Sequence, residues 1–153
     1  MRTLEHKIPP PIVAVIIGAA MWAVSRVTPP LSLDGRLRVA LAVAFAGFGF
    51  CVAAMGMLAF RRARTTINPV KVEEASSVVT SGIYSRTRNP MYVGLTCLLL
   101  AWTVFLASPV ALAGPIVFVL FTTRFQIVPE ERVLTLKFGG EYTDYQARVR
   151  RWL

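Results

Sequence analysis

Residues 37–60, LRVALAVAFAGFGFCVAAMGMLAF, form an apolar run with a single charged residue, Arg38. A helix needs about 20 apolar residues to cross a bilayer, so this run is long enough to span one. Three more apolar runs occupy residues 11–27, 91–106 and 110–127. Between the last two, Ser108 and Pro109 predict an N-cap and a proline at the first helical position. The sequence predicts an all-α integral membrane protein with four transmembrane helices, the last two forming a hairpin.

The composition agrees with lipid as the solvent. Hydrophobic residues make up 55% of the 153-residue chain and charged residues 16%, against roughly 25% charged residues in soluble domains. We therefore expect one membrane-embedded domain over residues 1–153. The net charge is +9, and because the basic residues lie between apolar runs, they indicate contact with anionic lipid headgroups and not with nucleic acid.

The placement of these basic residues predicts the orientation. Arginines and lysines are frequent in the loop at 61–89 and in the tail at 128–153, whereas the hairpin turn has none. Because positive loops stay in the cytoplasm, both termini are expected there, in a bacterial inner membrane. A cleaved signal peptide is the alternative for the first run, since Arg2 and Lys7 precede it. The three prolines at 9–11 favour a retained span.

Metal chemistry has few candidate ligands in this sequence. Cys51 and Cys97 both lie inside apolar runs, and His6 is the single histidine. Zinc, haem and iron–sulfur sites need several such ligands, so no metal site is expected.

Small residues in the second run predict close helix packing. Gly49 and Ala53 are four residues apart and therefore lie on the same face of a helix, where they allow a neighbouring helix to approach. The pair Gly47 and Gly49 does not begin a dinucleotide-binding motif, because Val52 occupies the position of the third glycine.

The tail after residue 127 predicts two short cytoplasmic helices. The first begins at Pro129 and ends at Gly139 and Gly140. The second carries aromatic and apolar residues on one face. We consider two arrangements for it, a helix lying on the membrane surface with its aromatic side down and a helix packed on the rest of the protein. That face consists of Tyr142, Tyr145, Val149 and Trp152.

Candidate chemistry centres on residues 82–94, GIYSRTRNPMYVG. Asn89 and Pro90 predict a helix start, and the free N–H groups of a helix N-terminus attract a carboxylate or phosphate. Arg88 adds positive charge there. Glu130 and Glu131 suit the first turn of a helix, but they could also bind ribose hydroxyls, balance a cationic cofactor or accept a proton.

Arg124 is a further candidate, near the end of the fourth run. Its side chain could extend to the membrane interface, or it could bind an anionic substrate headgroup beside the two glutamates.

Three motifs together resemble a known superfamily. RNPxYxG at 88–94, EE at 130–131 and FGxEYxxY at 138–145 are similar to the isoprenylcysteine carboxyl methyltransferases and phospholipid methyltransferases. The resemblance implies an S-adenosylmethionine-dependent methyltransferase in the membrane, with the cofactor under the cytoplasmic tail. The residues implied to contact the cofactor are Tyr84, Pro90, Tyr92 and Glu130 by side chain, Val78 and Val79 by backbone, and Arg88 and Asn89 beside them.

Two positions depart from the superfamily pattern. Asn89 stands where histidine is usual, so a proton-transfer role there is excluded. Gln126 stands where the prenylcysteine enzymes carry an arginine that faces substrate, which weakens prenylcysteine as the acceptor unless Arg124 substitutes for it.

The sequence leaves the methyl acceptor open and two other functions possible. An amine acceptor needs a base such as Glu131, whereas a carboxylate acceptor needs a cation such as Arg124. The first alternative function is an NADPH-dependent reductase of the sterol reductase type, in which Arg86 and Arg88 hold a 2′-phosphate. The second is a non-enzymatic small membrane protein.

Overall fold

The computed structural model describes residues 8–63 and 77–153, and these residues form helices with no β-strand. Of the sequence features above, Arg2, His6, Lys7 and residues 64–76 of the basic loop lie outside the described residues. Short 3₁₀ turns cover Gly82–Ser85 and Val110–Leu112, and a π turn covers Thr123–Ile127. The α-helices are α1 Pro10–Ser25, α2 Gly35–Arg62, α3 Pro90–Leu106, α4 Ala113–Thr122, α5 Val128–Phe138 and α6 Gly140–Arg148.

The four predicted apolar runs are all helical, but two of them fall short of the usual length of a membrane span. The helices over Gly35–Arg62 and Val110–Phe138 are long and apolar enough to cross a bilayer. α1 has 16 residues and α3 has 17, close to the lower limit of about 17 for a span. The prediction of an all-helical protein is confirmed, and helix length alone supports two of the four predicted spans.

The ends of α2 have clear chemical causes. The Asp34 carboxylate accepts hydrogen bonds from the backbone N–H groups of Arg36 and Leu37, both at 3.0 Å, and so caps the helix. Arg61 and Arg62 lie in the last turn, where a positive charge is favourable to the helix dipole.

The turn between α3 and α4 differs from its prediction. Ala107 ends α3 in the left-handed conformation with a φ of 50°. Pro109, not Ser108, occupies the cap position of the following 3₁₀ turn, and no side chain caps it. The Ser108 hydroxyl lies 3.2 Å from the hydroxyl of Thr28 instead. The predicted Ser108 cap is therefore wrong, because this hydroxyl has a partner in the loop after α1.

α2 and α3 pack closely through glycine. A Cβ atom added to Gly49 would lie 2.7 Å from the carbonyl oxygen of Gly94 and 2.8 Å from the Cβ of Cys97. A Cβ added to Gly94 would lie 2.8 Å from the Cβ of Ala53. The prediction that Gly49 and Ala53 allow close approach is confirmed, and the contacting helix is α3.

A second apolar core lies where α1 meets α3 and α4. Its centre is Phe118, which is completely buried, with Val13, Met21 and Leu99 around it. The indole N–H of Trp102 donates to the backbone carbonyl of Gly18 at 3.0 Å. This hydrogen bond and the apolar contacts fix α1 against the hairpin.

The fourth apolar run continues into the tail without a break. The 3₁₀ turn at Val110–Leu112, α4, the π turn and α5 form one helical stretch over Val110–Phe138, so the predicted start of a separate tail helix at Pro129 is wrong. The predicted end is confirmed, because α5 stops at Phe138 and Gly139 follows with a φ of 53°. Within the π turn Gln126 is completely buried, and its amide donates to the carbonyl of Ile8 at 2.9 Å.

We predict that Gly49→Val lowers the melting temperature of the detergent-solubilised protein, whereas Gly47→Val lowers it much less. Both changes add a β-branched residue to α2, but a Cβ at Gly47 meets nothing within 4 Å. At Gly49 the obstacle includes a backbone carbonyl of α3, which cannot move aside, and overpacking of this kind costs about 1–3 kcal/mol. Equal melting temperatures for the two variants would contradict the close packing of α2 on α3.

Candidate functional site

The start of α3 and the start of α5 meet through a tyrosine and a glutamate. The Tyr92 hydroxyl donates to the Glu130 carboxylate at 2.5 Å. Tyr92 lies in the first turn of α3 and is 6% exposed, and Glu130 lies in the first turn of α5. Two residues that are far apart in the sequence and share no sequence motif are thus in direct contact.

The neighbouring carboxylate, Glu131, is held by two arginines. Arg88 donates to Glu131 Oε1 at 2.9 Å, and Arg151 donates to both carboxylate oxygens at 3.0 and 2.7 Å. The side chains of Glu131 and Arg88 are 12% and 9% exposed. The hydrogen bond to Glu131 raises the pKa of Arg151 above its ordinary value. We call these three residues the arginine–glutamate clamp.

The segment after α6 closes over the start of α3. The Asn89 amide donates to the Arg151 carbonyl at 2.9 Å, and the Thr87 hydroxyl donates to the same oxygen at 3.3 Å. The backbone N–H of Arg88 donates to the carbonyl of Arg150 at 3.0 Å. Asn89 occupies the N-cap position of α3, but its side chain makes no cap. Asn89 therefore does not cap α3 as a helix-start asparagine is expected to, because its side-chain amide binds the carbonyl of Arg151 in the C-terminal segment.

Trp152 anchors the same segment from the other side. Its indole N–H donates to the Thr123 hydroxyl at 3.2 Å, and its ring packs on the apolar cluster of Val52, Val93 and Cys97. The C-terminal segment is therefore tied to α2, α3 and the π turn, and it covers the clamp.

Three buried tyrosines pack together beside the site. Tyr84, Tyr142 and Tyr145 form one cluster, and the Tyr145 hydroxyl donates to the Tyr84 carbonyl at 2.7 Å. Burial raises the pKa of all three hydroxyls, so they stay protonated at neutral pH. Of the two arrangements considered for α6, packing against the protein is the one observed, because Tyr142 and Tyr145 face this cluster.

The remaining candidate residues fall into two groups. Val78 and Val79 are half-buried against the tyrosine cluster, and Pro90 is fully buried beside Gly56, where an added Cβ would lie 2.9 Å from the proline ring. Arg124 is exposed, with its guanidinium 5.6 Å from the centre of the Phe125 ring. The described contacts pair it with neither Glu130 nor Glu131, so the structure does not bring Arg124 into the clamp.

A separate groove lies near the end of α2. It has a volume of about 500 Å³ and lies between the last turns of α2 and the 3₁₀ turn at Gly82–Ser85. Its walls include Met55, Leu58, Arg62 and Ile83. Ile83 also packs on the tyrosine cluster, so the groove lies beside the site and not between Tyr92 and Glu130.

The clamp limits what Glu131 can do chemically. Both of its oxygens accept hydrogen bonds from guanidinium groups, so a role as proton acceptor would require at least one of these bonds to break. Within residues 8–63 and 77–153 there is no group of three or more His, Cys, Asp or Glu residues that could hold a metal. The site therefore offers a second carboxyl group, that of Glu130, beside a tyrosine, and burial raises the pKa of this group to about 8. Next to it lies an ion network with more positive than negative charge.

Comparison with known proteins decides the family. The model of the phospholipid methyltransferase family matches residues 37–141, which include most of α2, all of α3 and the two glutamates. The chain belongs to this family.

Similar family members include named methyltransferases. Protein-S-isoprenylcysteine O-methyltransferase of Rattus norvegicus is 34% identical over 108 residues, which are 67% of this chain and 36% of that protein. Protein-S-isoprenylcysteine O-methyltransferase B of Arabidopsis thaliana is 32% identical over 91 residues, which are 58% of this chain and 45% of that protein. This chain thus spans less than half the length of these two relatives.

A bacterial relative matches a shorter part of the chain. An uncharacterized protein of Haemophilus influenzae is 49% identical over 63 residues, which are 41% of this chain and 100% of that protein. No solved structure matches the chain.

Sequence reasoning missed three residues of the site. Arg151, Thr87 and Trp152 were not candidates for the site, although each makes a hydrogen bond that ties the C-terminal segment to the rest of the protein. The bonds join Arg151 to Glu131, Thr87 to the Arg151 carbonyl, and Trp152 to Thr123. Arginines that follow a membrane span are common for reasons of topology, so nothing in the spacing of Arg151 distinguished it from Arg148 and Arg150.

Proposed function

We propose that this protein is an S-adenosylmethionine-dependent integral membrane methyltransferase acting on a lipophilic or membrane-associated acceptor. The observation that carries the proposal is the contact between Tyr92 and Glu130, under the C-terminal segment, in a chain of the phospholipid methyltransferase family. The named relatives are methyltransferases, which supports a methyl donor as the cofactor, and the residues around this contact fit one that is cationic and carries a carboxylate.

Two features of the site match that donor. A bound sulfonium would favour the ionised form of Glu130, whose carboxylate would balance that charge or accept hydrogen bonds from ribose hydroxyls. The Nε–H of Arg88 is buried and has no hydrogen-bond partner among the described residues, and an unpaired buried donor is costly unless a ligand supplies an acceptor. A carboxylate would supply one. The proposed cofactor residues are Val78, Val79, Tyr84, Arg88, Asn89, Pro90, Tyr92 and Glu130.

Methyl transfer requires the protein mainly to position the donor and the acceptor. S-Adenosylmethionine supplies, when bound, a methyl group on a positively charged sulfur. Transfer of such a group requires alignment and exclusion of water more than acid–base catalysis. The C-terminal segment and the tyrosine cluster exclude water from one side of the site, and the Tyr92–Glu130 pair fixes two polar groups inside it.

The acceptor remains either a carboxylate or an amine. The names of the relatives indicate isoprenylcysteine, and the name of the family indicates a phospholipid. A carboxylate acceptor would use Arg124, which is exposed on the bundle and would have to be approached from that surface. An amine acceptor would use Glu131 as a base, which would first require that Glu131 leave its arginines.

We also propose that all four apolar helices cross a bacterial inner membrane with both termini in the cytoplasm. Large apolar side chains are exposed on the outside of the bundle, among them Val15 on α1, Phe50 on α2 and Leu120 on α4, at 71%, 71% and 65%. Such a surface is typical of contact with lipid. The 16-residue α1 would be about 24 Å long, so it would reach across a bilayer core only with local thinning.

Labelling with a membrane-impermeant thiol reagent tests this placement. In a background with Cys51 and Cys97 replaced by alanine, we expect Pro109→Cys, in the hairpin turn, to be labelled from the periplasmic side of intact cells. Glu141→Cys, on α6, should be labelled only after the membrane is opened. Labelling of both positions in intact cells, or of Glu141→Cys alone, would contradict the proposed orientation.

Ligand binding tests the proposed cofactor. We expect S-adenosylhomocysteine to raise the melting temperature of the purified protein and NADPH to leave it unchanged. Glu130→Ala and Tyr92→Phe should each weaken S-adenosylhomocysteine binding about tenfold or more, because each removes a polar contact of the site. Glu141→Ala, at an exposed acidic position, is the matched control and should bind normally.

Two results would contradict this account. Stabilisation by NADPH alone would favour the reductase alternative. Normal binding of S-adenosylhomocysteine by folded Glu130→Ala and Tyr92→Phe would show that the cofactor lies elsewhere.

A further inference from the structure

We propose that Arg151 is a positioning residue for the methyl donor, acting through Glu131 on Arg88. The inference rests on the proposed function, and it concerns a residue outside the motifs that define the family resemblance. Arg151 need not touch the donor. Its side chain fixes the carboxylate that in turn holds the arginine at the start of α3.

The first support is the geometry of the Arg151–Glu131 contact. Arg151 donates from Nε and from a terminal nitrogen to the two different oxygens of Glu131, at 3.0 and 2.7 Å. Two parallel bonds of this kind fix the plane of the carboxylate, which a single bond does not. Arg88 then binds Oε1 of the same carboxylate at 2.9 Å. The orientation of Glu131, and with it the position of Arg88, therefore depends on Arg151.

The second support is that the backbone of Arg151 also binds the side chains on either side of Arg88. Its carbonyl oxygen accepts hydrogen bonds from Thr87 and Asn89. The residues immediately before and after Arg88 are thus bound to Arg151 itself. One residue consequently positions Arg88 by its side chain through Glu131 and by its backbone through two neighbours.

The third support is that the clamp leaves the Nε–H group of Arg88 available to a ligand. Arg88 is 9% exposed, and its Nε–H has no partner among the described residues. Glu131 occupies a terminal nitrogen of Arg88, so the clamp holds the guanidinium in place without using that buried donor. We assign Nε–H to the carboxylate of the methyl donor.

The Arg151 side chain contributes little to stability, because it is 38% exposed and because Arg88 still pairs Glu131 when the Arg151 guanidinium is removed. Ion pairs of exposed groups contribute little to stability, since water screens them. Loss of its guanidinium should therefore leave the fold largely intact, because the backbone bonds to its carbonyl remain. The effect should instead appear in how tightly the donor binds.

The experiment compares three variants of the full chain. Arg151→Gln removes both bonds to Glu131, and Arg151→Lys keeps the charge but not the two parallel bonds. Arg148→Gln is the matched control, since Arg148 is exposed and binds the carbonyl of Asp144 within its own helix. For each protein, the melting temperature, the Kd for S-adenosylhomocysteine and the KM values for donor and acceptor are measured.

We expect Arg151→Gln to raise the Kd for S-adenosylhomocysteine and the donor KM about tenfold, as expected for loss of an ordered charged hydrogen bond. The acceptor KM and kcat should change less than twofold, and the melting temperature should stay close to that of the original protein. Arg151→Lys should restore part of the affinity, and Arg148→Gln should behave like the original. In Glu131→Gln the further change Arg151→Gln should not raise the Kd further, because the connection from Arg151 through Glu131 to Arg88 is already lost.

The outcomes separate the two proposals. An unchanged Kd in folded Arg151→Gln overturns the positioning role, as does a loss of binding that only follows a loss of folded protein. Equal effects of Arg151→Gln and Arg148→Gln overturn it too, because they would indicate a general charge effect. If the original protein does not bind S-adenosylhomocysteine, the proposed function itself fails, and the positioning role fails with it.

Discussion

The Glu131 carboxylate joins three parts of the chain that the sequence keeps far apart. It lies in α5, it binds Arg88 at the start of α3, and it binds Arg151 in the C-terminal segment. A carboxylate with 12% side-chain exposure is costly to keep ionised unless it is paired and hydrogen-bonded. Arg88 and Arg151 meet this requirement together, and their bonds to one carboxylate set how the start of α3 and the C-terminal segment are oriented relative to α5.

The packing of α2 on α3 helps to bring the start of α3 next to α5. α3 can lie close to α2 because Gly49 and Gly94 present no side chains to each other. Pro90 fits against the backbone of Gly56 in the same interface. The π turn at Thr123–Ile127 lies just before α5, and a widened turn changes the angular position of every later residue about the helix axis. Tyr92 and Glu130 face each other as a result of these features together.

Much of this architecture was predictable from hydrophobic patterning. The four apolar runs, the glycine packing of α2 and the end of α5 at Gly139 follow from residue type and spacing alone. The contact between Tyr92 and Glu130 was expected only through the family resemblance, since no local pattern links α3 to α5. Helix length was less predictable, because Pro129 indicated the start of a separate helix where the helical backbone in fact continues.

The C-terminal segment was the part that sequence reasoning could not place. Asn89 followed by Pro90 is a strong helix-start signal, yet the asparagine side chain binds the Arg151 carbonyl instead of capping. The aromatic face of α6 fitted a membrane surface and a protein core equally well, and only the tyrosine cluster decides between them. Both choices depend on tertiary contacts, which outweigh the small energies of local preferences.

An experimental structure of the protein with S-adenosylhomocysteine bound tests the central claim most directly. The account places the ligand under the C-terminal segment, in contact with Tyr92 and Glu130 and with its carboxylate at Arg88. Density for the ligand in the groove beside Met55 and Arg62, or elsewhere on the bundle, with the Tyr92–Glu130 contact unchanged and closed, would contradict it.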